Sequence, residues 1–110
     1  MKPLIWLGSS REDIRQFPGQ ARQEAGFELY QVQRGLEPSD WKPLSTIGAG
    51  VKEIRIHGRS EYRVIYVAKF ADAVYVLHTF IKKTPQTSRI DIELARTRFK
   101  QLLVERRRQP

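Results

Sequence analysis

Two rhythms of apolar and polar residues divide this chain. After Lys2 to Leu7, which reads as a short first strand ended by Gly8, the period becomes helical: Ala21, Ala25, Leu29 and Val32 recur on one stripe, with Arg22, Glu24, Glu28 and Arg34 off it. That is the spacing of an amphipathic helix. Ser9 and Ser10 stand three residues before Glu12 and Asp13, a capping-box start that predicts a first helix. Pro18 disfavours helical backbone at Phe17 but suits a first turn, so one short helix is expected to stop near Phe17 and a second to start at Pro18. Gly35 is placed to cap the second in the left-handed region. Gly26 costs about 1 kcal/mol against Ala inside a helix, which predicts close packing against a neighbour there.

From Leu36 to Gly50 the residues Pro38, Ser39, Asp40, Pro43, Gly48 and Gly50 predict a connection with little regular structure, tethered by Trp41, Leu44 and Ile47. The period then changes to two. Val51 to His57, Tyr62 to Ala68 and Val74 to Ile81 are β-branched and aromatic runs, separated by the turn signals Gly58-Arg-Ser and Lys69-Phe-Ala-Asp, and they read as an antiparallel meander. Ser88 with Asp91 opens a last helix whose buried stripe is Ile92, Ala95, Phe99 and Leu102. The tail from about 104 to 110 is expected to fray. The fold class is therefore α+β: a small antiparallel sheet of about four strands, two N-terminal helices and a C-terminal helix, in a single domain spanning 1–110.

Composition narrows the partners. The 110 residues carry 20 Lys+Arg against 12 Asp+Glu, a formal charge of +8, which favours phosphate-rich or otherwise acidic ligands. The excess is uneven: residues 1–41 hold 5 basic and 6 acidic side chains, 42–83 hold 8 and 3, and 84–110 hold 7 and 3. The absence of cysteine excludes a disulfide scaffold, thiol chemistry and a Cys-ligated metal, and suits a reducing compartment, with the cytoplasm as the expected location. No signal-peptide core or membrane-length apolar run is present.

Alternation assigns faces to the strands. Glu53, Arg55 and His57 share one side of their strand and Ile54 and Ile56 the other; Arg63 can join Arg55 on the face the helices are expected to leave uncovered. The last strand is apolar on both sides up to Lys82 and Lys83, so its parity stays open. Arg55, Arg63, Lys82 and Lys83 would then line one side or rim of the sheet, close enough to act on one phosphate. Taken singly, each is an ordinary solvated cation. His57 and His78, the two histidines, are more naturally hydrogen-bonded scaffold than catalysts. With no acidic residue at a telling spacing from either, a metal site has little support. Gly48-Ala-Gly50 lacks the setting of a phosphate-cradling loop and reads as a turn.

The segments Gly26-Phe-Glu-Leu-Tyr-Gln-Val-Gln-Arg-Gly35, Lys42-Pro-Leu44, Gly48-Ala-Gly-Val-Lys-Glu-Ile-Arg-Ile56, Tyr62-Arg-Val-Ile-Tyr66 and Tyr75-Val-Leu-His-Thr-Phe-Ile-Lys-Lys-Thr84, in that order and spacing, resemble the phage-derived killer proteins of the RelE/HigB toxin superfamily over residues 10–103. The resemblance implies the same α+β fold and a type II toxin: a metal-independent endoribonuclease without cofactor, acting on mRNA at the ribosome. It further implies a cognate helix-turn-helix antitoxin that neutralises the toxin and through which alone DNA is met; no membrane is involved. By position in the matching motifs, Arg63 corresponds to the arginine on the scissile phosphate, Lys83 or Lys82 to a second basic site that neutralises charge or acts as general acid, and Arg55 to a strand lysine. His78, in the family's Leu-His-x-Phe signature, is a candidate proton carrier, with a structural role equally open. Lys52 joins Arg55 as an RNA contact, and Tyr66 or Phe80 can stack on a base. Some relatives carry a C-terminal tyrosine or acidic–histidine cluster; Ser88 to Leu103 has neither tyrosine nor histidine, leaving the general base unassigned. The alternative is a basic module of the same fold that binds RNA or an antitoxin without cutting.

Overall fold

The computed structural model describes residues 1–109; the last position of the expected frayed tail, Pro110, lies outside them. The elements are β1 (Leu4–Trp6), α1 (Ser10–Arg15), α2 (Gly19–Gln33), β2 (Trp41–Pro43), β3 (Val51–His57), β4 (Glu61–Val67), β5 (Val74–Lys82) and α3 (Arg89–Arg108). The sheet has five strands in the order β1-β5-β4-β3-β2. The meander from β3 to β5 forms as the alternation requires. Two corrections apply to the expected four-stranded antiparallel sheet. β1 pairs with β5 in parallel, Ile5 opposite Tyr75, because α1 and α2 return the chain across one face before β3. Inside the expected connection, Trp41 to Pro43 forms an edge strand on β3, where a proline costs no ladder bond on the open side.

Both faces of the sheet carry a core. On one, Ala21, Ala25, Leu29 and Val32 of α2 and Ile14 of α1 pack on Ile54, Ile56, Tyr62, Val64, Tyr66, Val74 and Val76. On the other, Ala95, Phe99 and Leu102 of α3 pack on Val51, Ile65, Val67, Tyr75, Leu77 and Phe80. The face expected to be free of helices is thus covered by α3 over Val51, Ile65, Val67, Tyr75, Leu77 and Phe80.

Local chemistry explains the helix ends. α1 stops before Phe17 and α2 follows Pro18, as that proline dictates. Gly35 has φ +84°, and Leu36 N–H closes the cap on Gln31 O at 2.9 Å. Ser88 accepts from Asp91 N–H at 3.2 Å, the expected cap of α3. Four details depart from expectation. Ser9 Oγ donates to the Asp13 carboxylate at 2.7 Å instead of capping an amide, and Ser10 is buried on β5, donating to Val76 O. Glu28 is buried, accepting from Ser39 N–H and Oγ, so it anchors the segment leading into β2. A Cβ on Gly26 would meet open space, so no neighbour demands that glycine. α3 continues helical to Arg108, where fraying was expected from 104.

Candidate functional site

The register across the tight Gly58-Arg-Ser turn builds the polar half of the α3-side face. His57 lies opposite Glu61 and Arg55 opposite Arg63, and all four side chains share a face because each strand alternates with a period of two. On β5 the register continues with Phe80 opposite Arg63 and Lys82 opposite Glu61. A bulge between Ile65 and Tyr66 leaves Leu77 outside the pairing, so Leu77 and His78 both turn towards α3; no periodicity argument could fix that strand's parity. Edge strand β2 adds Lys42, opposite Glu53.

At the centre is a charge cluster built around two buried side chains. Glu53 is 1% exposed and Arg63 5%. Glu53 Oε1 lies 3.5 Å from the Nε atoms of both Arg55 and Arg63 and 3.9 Å from Lys42 Nζ. One buried carboxylate therefore balances two guanidiniums, at distances just beyond good hydrogen bonds; Glu53 Oε2 and both Nε atoms are left without a partner among the described residues. Arg63 Nη1 donates to Glu61 Oε1 at 3.1 Å and to Tyr62 O at 3.0 Å. That fixes the guanidinium plane and leaves Nη2 without a hydrogen-bond partner among the described residues.

From Glu61 the network runs outward. His57 Nδ1 lies 2.8 Å from Glu61 Oε1, and its Nε2 2.6 Å from Asp40 Oδ2. Asp40, then Glu61, hold the imidazole's pKa above its ordinary 6.5, because both carboxylates favour the charged ring. His57, and after it Arg63, in turn hold the Glu61 carboxyl below its usual range.

His78 is differently placed. Buried at 4%, it stacks on Phe80 with ring centroids 5.0 Å apart. Its Nε2 is 2.7 Å from Asp91 Oδ1 and its Nδ1 3.4 Å from Arg98 Nη1. Arginine only donates, so Nδ1 accepts and the proton sits on Nε2, directed at Asp91. The ring thereby ties β5 to the first turn of α3.

The sheet thus gathers Arg55, Arg63, His78, Phe80 and Lys82 on one face. Lys83 follows β5 and is exposed. Lys52 and Tyr66 do not join them: paired with each other across β3 and β4, they occupy the α2-side face. There Lys52 pairs with Glu37 at 3.1 Å and lies over the Trp41 ring. Tyr66, 1% exposed, is part of the core and has no ring face to offer a base at Arg63; burial also pushes its hydroxyl pKa up.

Sequence reasoning left out the partnerships of Glu53, His57, Glu61, Asp40, Asp91 and Arg98. The turn length between β3 and β4 carried the signal for the first three, since a three-residue connection after His57 puts Glu61 opposite it. Asp40 and Asp91 are brought in by loop and helix positions that no strand period encodes.

No curated protein matches the chain significantly. The family described as phage-derived protein Gp49-like (DUF891) matches residues 12–100, a stretch that contains the whole charge cluster, the His78 contacts and most of both cores. The match spans most of the chain, which belongs to the Gp49-like family of phage-derived proteins.

Proposed function

We propose that the protein is the toxin of a type II toxin–antitoxin pair, a RelE/HigB-like, metal-independent endoribonuclease that cuts mRNA on the ribosome and so stops translation. The observation that carries this reading is the direct pairing of Arg55 with Arg63, whose neighbour on β5 is Phe80. A scissile phosphate would be gripped through Arg63 Nη2 and the half-exposed Arg55. Planar guanidiniums suit that grip better than ammoniums do. Lys82 and Lys83, at the end of β5, would meet the charge that builds on the non-bridging oxygens as the 2′-hydroxyl attacks. Phe80, 8% exposed within the α3-side core and stacked on His78, would brace the site and has no free ring face for a base. His78 itself, held at both ring nitrogens, would position Phe80 and α3. The partner would be a helix-turn-helix antitoxin, with DNA reached only through it.

A second reading has one observation in its favour: Glu53 and Glu61 already engage the Arg63 guanidinium, which suits a basic module that binds RNA or an antitoxin without cutting. Induced expression without an antitoxin separates the two. Growth arrest and cut, ribosome-protected transcripts are expected from the wild type. Arg55→Ala and Arg63→Lys, which keeps the charge beside Glu53, are each expected to relieve both. Intact transcripts and normal growth with the wild type would establish the non-cutting module instead.

A further inference from the structure

The sequence left the general base open and offered Lys83 or Lys82 as general acid, and the histidine of its family-like signature is locked into the scaffold. The other histidine stands where a proton is needed. We propose that His57, held by Asp40 and Glu61, is the group that protonates the leaving 5′-oxygen in the RNA cleavage proposed above, an assignment that rests on that reading.

Geometry carries the argument. Glu61 Oε1 is shared between His57 Nδ1, at 2.8 Å, and Arg63 Nη1, at 3.1 Å. Imidazole and phosphate-facing guanidinium are therefore within the span of one phosphodiester group. His57 is also reachable, with 56% of its side chain exposed against 5% for His78. Each ring nitrogen faces a carboxylate, which favours the imidazolium, the form that can donate; Nε2–H reaches the leaving oxygen by letting go of Asp40, a release open to this exposed ring and not to buried His78. The charged groups around it come from every neighbouring element: Asp40 before β2, Lys42 on β2, Arg55 on its own strand, Arg59 in the turn, Glu61 and Arg63 on β4, and Lys82 opposite Glu61. The two carboxylates in direct contact outweigh the more distant cations, and the pKa is raised above 6.5.

In the step itself, the 2′-oxygen bonds to phosphorus as its proton passes to water. The bond from phosphorus to the 5′-oxygen breaks, its electron pair stays on that oxygen, and the oxygen takes the His57 proton. The products are a 2′,3′-cyclic phosphate and a 5′-hydroxyl; solvent reprotonates the imidazole. General acid catalysis of this kind contributes roughly 100-fold or more.

The test uses mRNA on programmed ribosomes with either oxygen or sulfur as the 5′-bridging atom at the cut position. A thiolate leaves without protonation. His57→Gln is expected to lose roughly 100-fold on the oxygen substrate and to match the wild type on sulfur. Asp40→Asn, which weakens the hold on the proton, is expected to move the alkaline limb of the oxygen-substrate rate to lower pH. Equal losses of His57→Gln on both substrates would make His57 a structural staple, and no loss on either would make it a bystander; both overturn the assignment. A wild type that cuts neither substrate would overturn the nuclease reading itself, and His57's role with it.

Discussion

Glu53 shows what one side chain does here that no surface ion pair would. Exposed pairs contribute about 0–1 kcal/mol, but Glu53 is 1% exposed and sits between Arg55 and Arg63, so its removal leaves a buried guanidinium with less counter-charge. Breaking a fully buried pair costs about 3–5 kcal/mol. Arg55 and Lys42 retain some water, so Glu53→Gln is expected to lower unfolding free energy by about 2–3 kcal/mol, measured by urea titration. A loss below that of an ordinary surface pair would mean water reaches the cluster. His57 gives a prediction of opposite pH character. Its pKa is raised in the fold, chiefly by Asp40 and then by Glu61, so the stability it adds is fully present below its unfolded pKa and is lost as pH rises through the folded one. Melting temperature should therefore drop slightly across that alkaline interval, and His57→Gln should flatten the dependence. The gain is small because the ring is largely solvated.

At the level of elements, glycines separate what the chain's pattern reveals from what it hides. Gly26 lies on α2 with open space where a Cβ would go, so Gly26→Ala should stabilise by roughly 0.5–1 kcal/mol through backbone entropy alone. Gly48 is the reverse case. A Cβ there would fall 2.1 Å from Phe99 Cε2, and the ring is pinned between α3 and the sheet. Gly48→Ala should cost about 1–3 kcal/mol by overpacking; both substitutions are read from equilibrium denaturation. Nothing in the sequence around either glycine distinguishes them, because the deciding neighbour of Gly48 is 51 positions away in the chain. By contrast, Ala21, Ala25, Leu29 and Val32, Pro18, Gly35 and the Ser88 cap were legible, since each acts within one or two turns. The Arg55–Arg63 pairing was legible too, through strand alternation and a short turn. The bulge at Leu77, the short edge strand at Trp41 and the burial of Glu28 were not, because each depends on a partner supplied by another element.

Across the whole molecule the charge is sorted by end as well as by face. At the C-terminal end of α3, Arg106 is committed to Asp72 at 3.0 Å and stacks over Phe70, beside the loop between β4 and β5. The opposite end of the sheet holds Arg59 in the β3–β4 turn, Lys82 and Lys83 at the end of β5 and Arg89 at the start of α3. None of these four forms an ion pair among the described residues. If that rim guides a single RNA strand towards Arg55 and Arg63, each cation that neutralises a phosphate contributes about 0.7 to the slope of log K against log salt. Arg59→Ala and Lys82→Ala should then each flatten the slope for a single-stranded oligoribonucleotide by about that amount, measured by fluorescence anisotropy over a salt series. Arg107→Ala and Arg108→Ala, at the far end of α3, remove the same formal charge and should leave the slope unchanged. Equal decrements from all four would mean that net charge alone, and not its placement around the arginine pair, attracts the nucleic acid; the cluster would then need another reason to be buried where it is.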